Sequence, residues 1–189
     1  MTLVKKNNVI SGLIVAFFTF FIALLVSLGS EALMKTVNNL LLANVMLLLI
    51  IALGIFFDIV GTAAAAASLP PFNAKAAKKI LGAYQAVKIT RNASVVANYF
   101  CDVVGDICGT VSGAIGAGIV FSLVQYYSWT NIVLIGSAMT SLIAALTVGG
   151  KAIGKNIAIQ HANEIILRAG IIAAWWENMT GTEILKGRR

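Results

Sequence analysis

From residue 93 to residue 124 the sequence is apolar enough and long enough to cross a bilayer, yet Asn98, Asp102 and Asp106 fall inside it at successive four-residue steps. On a helix that spacing places an amide and two carboxylates on one stripe. A charged side chain at the bilayer centre costs about 2.5–3.5 kcal/mol on insertion scales, so such a stripe is expected to face a bundle interior or a wet cavity. A cation site or pathway is the functional reading of two acids in one span; a packing helix with neutral or hydrogen-bonded acids is the plainer alternative. Gly105, Gly109 and Gly113, with Ser112 and Gly116 beside them, add small-xxx-small spacing that lets helix backbones approach closely in lipid.

Composition decides the class. Of 189 residues 59% are hydrophobic and only 11% charged, against about 25% charged in soluble domains. The expected fold class is an all-α membrane protein forming a single transmembrane domain over residues 1–189. The formal charge of +7 carries no aromatic-rich basic surface or nucleic-acid motif with it, so no nucleic-acid partner is expected. Cys101 and Cys108 are seven residues apart on one helix, too far along its axis to bond to each other easily, and no CxxC or Cys/His cluster accompanies them. The lone His161 has no partner motif and reads as a polar-face residue.

Four spans are expected, over about 9–28, 40–64, 93–124 and 131–149, making a four-helix transmembrane bundle. The first follows Lys5 and Lys6 and is longer than a signal-peptide core, so it is taken as a retained helix. The second contains Asp58, with Thr62 one turn later, and Pro70 and Pro71 are expected to end the helix. Residues 72–90 then form a cytoplasmic amphipathic helical excursion. Its bases Lys75, Lys78, Lys79 and Lys88, with Arg91 just beyond, suit the surface of an anionic leaflet. An uncharged aromatic turn, Tyr126, Tyr127 and Trp129, leads to the fourth span. Residues 151–178 read as a C-terminal interfacial helix, anchored by Trp175 and Trp176.

With both termini cytoplasmic, every basic residue except Lys35 falls on the inner side, as the positive-inside rule requires. A multi-pass protein of the cell (plasma) membrane is expected. Asp58 then lies near the cytoplasmic end of the second helix, and Asp102 and Asp106 about a third of the way into the third from that side. Asp58, Thr62, Asn98, Asp102 and Asp106 are the candidate ligands. Carboxylate and amide oxygens suit Mg²⁺, Ca²⁺, Mn²⁺ or Na⁺ and are poor ligands for soft metals. Mg²⁺ or another hard cation such as Na⁺ is expected as the transported or bound ion, with no organic cofactor. No nucleophile, histidine base or phosphate-binding motif accompanies the acids, so an enzyme is not expected.

The run Leu53-Gly-Ile-Phe-Phe-Asp-Ile-Val-Gly-Thr-Ala63, a basic excursion with Ala74-Lys-Ala-Ala-Lys-Lys79, and a membrane helix beginning near Asn92 resemble the transmembrane domain of the CorB/CNNM magnesium transporters. The resemblance covers about residues 45–175. Asp58 stands at the position of the family's serine and Gly61 at that of its glutamate, whereas Asn98 is similar to the family's asparagine. Asp102 and Asp106 have no counterpart in the motif, and the nucleotide-binding CBS domains of longer members have none in this sequence. The resemblance implies a homodimer holding a cation in a cytoplasm-facing cavity. A reading of another class is a non-transporting accessory subunit whose acidic stripe pairs with a basic helix of a membrane partner.

Overall fold

The computed structural model describes residues 12–14, 16–29, 40–126 and 131–181. The expectations for Lys5, Lys6 and Lys35, for the aromatic turn at Tyr127 and Trp129, and for the basic tail fall outside them. The described residues form helices and no strand. In order these are α1 (Gly12–Gly29), α2 (Leu40–Ala66), α3 (Leu69–Ala77), α4 (Ala83–Arg91), α5 (Ala93–Ala97), a π-helical segment (Asn98–Val104), α6 (Gly105–Tyr126), α7 (Ile132–Gln160) and α8 (Ala162–Thr180). Among the described residues four stretches are long and apolar enough to cross a membrane: α1, α2, the continuous run Ala93–Gln125, and α7. This is compatible with a multi-pass membrane protein.

The burial pattern of α2 fits lipid. Ala43, Leu47, Ile51 and Asp58 are buried along one seam, whereas Leu41, Leu48, Leu49 and Phe56 are exposed. Large apolar groups face outward and the one acid faces inward, the reverse of a water-soluble helix.

The chain divides into two compact units, one built from residues up to Ala52 with Ile107–Leu146, the other from Leu53–Asp106 and Thr147 onward. In the first, α6 buries Val111, Ser112, Ile115 and Ile119, and Gly116 leaves room for Ile143 of α7. The Ser112 hydroxyl donates to the Cys108 carbonyl at 2.7 Å, so its polar group is satisfied within its own helix.

In the second unit a core gathers Ala63, Ala64, Phe72, Ala86, Val87, Ile89, Val96, Ala158, Ala162 and Ile166. Helix α2 ends at Ala66, before Pro70 and Pro71, and these prolines open α3, where the first helical turn has no use for their missing N–H. The excursion expected as one helix over 72–90 is two. Lys79 (φ 54°) and Gly82 (φ 78°) turn the chain between α3 and α4 in left-handed conformations. The turn swings α4 onto α8, where the bare Gly170 meets Gly82 O and the Ala86 backbone.

The basic face of the excursion is also smaller than expected. Lys88 is buried at 5% exposure, with its Nζ 4.0 Å from Glu177 Oε1 and 4.7 Å from the centre of the Tyr84 ring. Gln85 Nε2 donates to Glu177 Oε2 at 2.8 Å. Lys88 thus clamps α4 to α8, because a buried ammonium needs a carboxylate. Lys75, the exposed Lys78, Lys79 and Arg91 remain for a charged surface.

The region expected as one interfacial helix over 151–178 is split at His161. Helix α7 continues through Gly149 and Gly150 to Gln160, and α8 starts afresh, its first N–H groups from Glu164 and Ile165 bonded to the His161 carbonyl at 3.0 Å. Glycine weakens a helix without breaking it, and no proline follows. His161, Trp175 and Trp176 are exposed.

Gly170→Val should force α4 and α8 apart and lower stability by about 2 kcal/mol, read as a fall in Tm of the detergent-solubilised protein. Gly149→Ala, where nothing lies within 4 Å of the added carbon, should cause no such loss.

Candidate functional site

All five sequence-derived ligands lie in the second unit. Asp58 sits on the buried seam of α2 at 2% exposure, and its Oδ2 is buried without a hydrogen-bond partner. Such an oxygen loses its hydration and gains nothing from the protein, a cost that a cation or a proton at that atom would offset.

Opposite Asp58, the third span departs from α-helical geometry. From Asn98 to Val104 its turns widen to the π form, a feature found mostly as short interruptions and frequently at functional sites. Two contacts one turn apart lock α2 to it. The Phe57 and Phe100 rings stack with centroids 5.5 Å apart and planes within 5°. At Gly61 the backbones close in: an added Cβ would lie 2.5 Å from Cys101 Sγ and 3.2 Å from both Ala97 O and Cys101 N. The space into which a side chain at position 61 would project is therefore filled by Cys101. The Cys101 thiol donates to the Asp58 carbonyl at 3.5 Å and lies 3.9 Å from the Thr62 hydroxyl.

The remaining ligands lie along the same span. Asn98 opens the π segment, Asp102 lies within it and Asp106 falls in the first turn of α6; all three are exposed. Asp106 Oδ1 is 4.0 Å from Lys151 Nζ of α7, with the Asp106 side chain 76% and the Lys151 side chain 22% exposed. The structure thus brings Asp58 and Thr62 together around Cys101, and Asp106 to Lys151. Among the described residues no group of three or more His, Cys, Asp or Glu side chains is gathered closely enough to hold a metal ion.

Lys151 and Cys101 are site residues that sequence reasoning missed. The signal for Lys151 was the spacing Gly150-x-x-x-Gly154 in an unbroken helical stretch. These glycines let α7 press against Ile55 and Ile59 of α2. A helix held there directs Lys151 towards Asp106, and its ammonium passes over the bare Gly105, where an added Cβ would be 3.4 Å from Nζ. For Cys101 the signal was Gly61, a residue small enough to admit a thiol and a backbone.

No family model matches the chain, and no curated protein or solved structure matches it either.

Gly61→Val places two methyl groups against backbone atoms that cannot yield, so it should lower stability by about 2 kcal/mol. In a Cys108→Ala background it should also speed alkylation of Cys101 by a membrane-permeant maleimide, because α2 no longer covers the thiol.

Proposed function

We propose that this chain is an integral membrane cation transporter whose intramembrane ligand is Asp58. The observation that carries the reading is the buried Asp58 carboxylate with an unpartnered Oδ2, on a helix apolar enough to span a bilayer. A buried carboxylate needs a counter-charge, and its hard oxygen selects ions such as Mg²⁺ or Na⁺ over soft metals. Asn98, Asp102 and Asp106 form the outer part of the path: as exposed polar groups on a membrane span they call for water or a second protein surface beside them. A cation meeting this stripe exchanges some of its water for carboxylate and amide oxygens and moves on to Asp58 and the Thr62 hydroxyl. The π-helical segment is the element to rearrange, since a change in its width re-registers Asn98 and Asp102 against α2.

The resemblance to the CorB/CNNM transmembrane domain supports the same class of cargo. It also supports a homodimer, while the distribution of basic residues supports a multi-pass arrangement in the cell membrane with both termini cytoplasmic. The glutamate that the family carries at the position of Gly61 has no room here, so Asp58, one turn earlier on α2, takes its place as the acid. The second reading, a non-transporting accessory subunit, is favoured by the contact between Asp106 and Lys151: the stripe already accepts an ammonium from a neighbouring helix and would accept one from a partner.

Thermal unfolding of the purified protein in Mg²⁺, Ca²⁺, Mn²⁺ and Na⁺ should show a saturable, ion-selective rise, equivalent to about 2.7 kcal/mol at one hundred times Kd. Asp58→Asn should abolish it, together with flux into proteoliposomes. A wild-type protein insensitive to every ion, with Asp58→Asn as stable or more so, would leave the accessory-subunit reading in place.

A further inference from the structure

Helix α7 brings an ammonium group to the polar face of the third span. Lys151 lies against Asp106 and over Gly105. This placement follows from the packing, because Gly150 and Gly154 press this part of α7 onto α2 at Ile55 and Ile59. Lys151 is also mostly withdrawn from the surface, and a side chain at position 105 would contest the ammonium's place. The acidic stripe of the proposed path is thus faced at Asp106 by a held positive charge.

From this placement we propose that Lys151 is a specificity-determining residue, which tilts the acidic path away from divalent cations and towards a monovalent one, Na⁺ being the hard-cation probe. The inference rests on the cation-transporter reading and narrows its cargo. The repulsion between the ammonium and the cargo is proportional to the cargo's charge, so the penalty in free energy is twice as large for Mg²⁺ as for Na⁺. In affinity, a factor lost by Na⁺ is lost squared by Mg²⁺.

The test is a pair of thermal-unfolding titrations, with NaCl and with MgCl₂ at constant ionic strength in choline chloride, on wild type, Lys151→Met and Lys151→Arg. Lys151→Met keeps most of the side chain's length and removes its charge; Lys151→Arg keeps the charge. For Lys151→Met the half-saturating Na⁺ concentration should fall roughly tenfold and that of Mg²⁺ roughly a hundredfold, following the square relation. Lys151→Arg should retain the wild-type preference between the ions. If Lys151 only packs α7, Lys151→Met will lower Tm and leave the ratio of the two midpoints unchanged, which overturns the proposal. Equal shifts for the two ions overturn it as well, while leaving the cation site standing. A wild type and a Lys151→Met variant that both ignore both ions overturn the site together with this inference.

Discussion

The second unit is arranged around the approach of α2 to the π-helical segment at Gly61. A hydrogen at that position lets the Cys101 thiol and two backbone atoms occupy the space of a side chain, and the Phe57–Phe100 stack fixes the approach one turn away. Helices in lipid gain little from excluding apolar surface and rely on close packing, so a contact of this kind has a large share in holding the spans together. Asp58, one turn before Gly61, is buried beside this contact and its backbone carbonyl accepts from the Cys101 thiol.

A second close approach, at Gly150 and Gly154, gives the polar stripe a counter-charge at Asp106. Without these glycines, Ile55 and Ile59 would hold α7 further away and the Lys151 ammonium would not lie over Gly105. Outside the spans, α3, α4 and α8 close on Phe72 and Ile166, with the Lys88–Glu177 pair between α4 and α8. That cap is a small helical core of ordinary design, with its buried charge paired as burial requires.

Much of the architecture was legible along the chain because hydrophobic length is a local property. Leu40–Ala66, Ala93–Gln125 and Ile132–Gln160 emerge as apolar helices with boundaries near those expected, except where α7 continues past its glycines. Pro70 and Pro71 marked the end of α2 correctly, though they serve as the start of α3. The basic excursion was recognised as helical, but its turn at Lys79 and Gly82 was not, since nothing beside a single glycine signals it. Asp58, Thr62, Asn98, Asp102 and Asp106 stood out as polar groups in apolar runs, and that signal cannot say which of them meet. The π segment had no sequence signal.

The sequence by itself determined that the chain is helical, that four of its stretches are long enough to cross a bilayer, and that acids lie within two of those stretches. These follow from composition and period, which any neighbouring residues would leave unchanged. Only the tertiary structure decided that Asp58 is buried with an unpartnered oxygen, that Asp102 and Asp106 are exposed, that Lys88 faces Glu177 rather than a leaflet, and that Lys151 lies beside Asp106. Each depends on where two helices distant in sequence come into contact. That is set by the fit of Gly61 to Cys101, of Gly150 and Gly154 to Ile55 and Ile59, and of Gly170 to the backbone of α4. Such fits are properties of paired surfaces, and a single strand of sequence carries only one half of each.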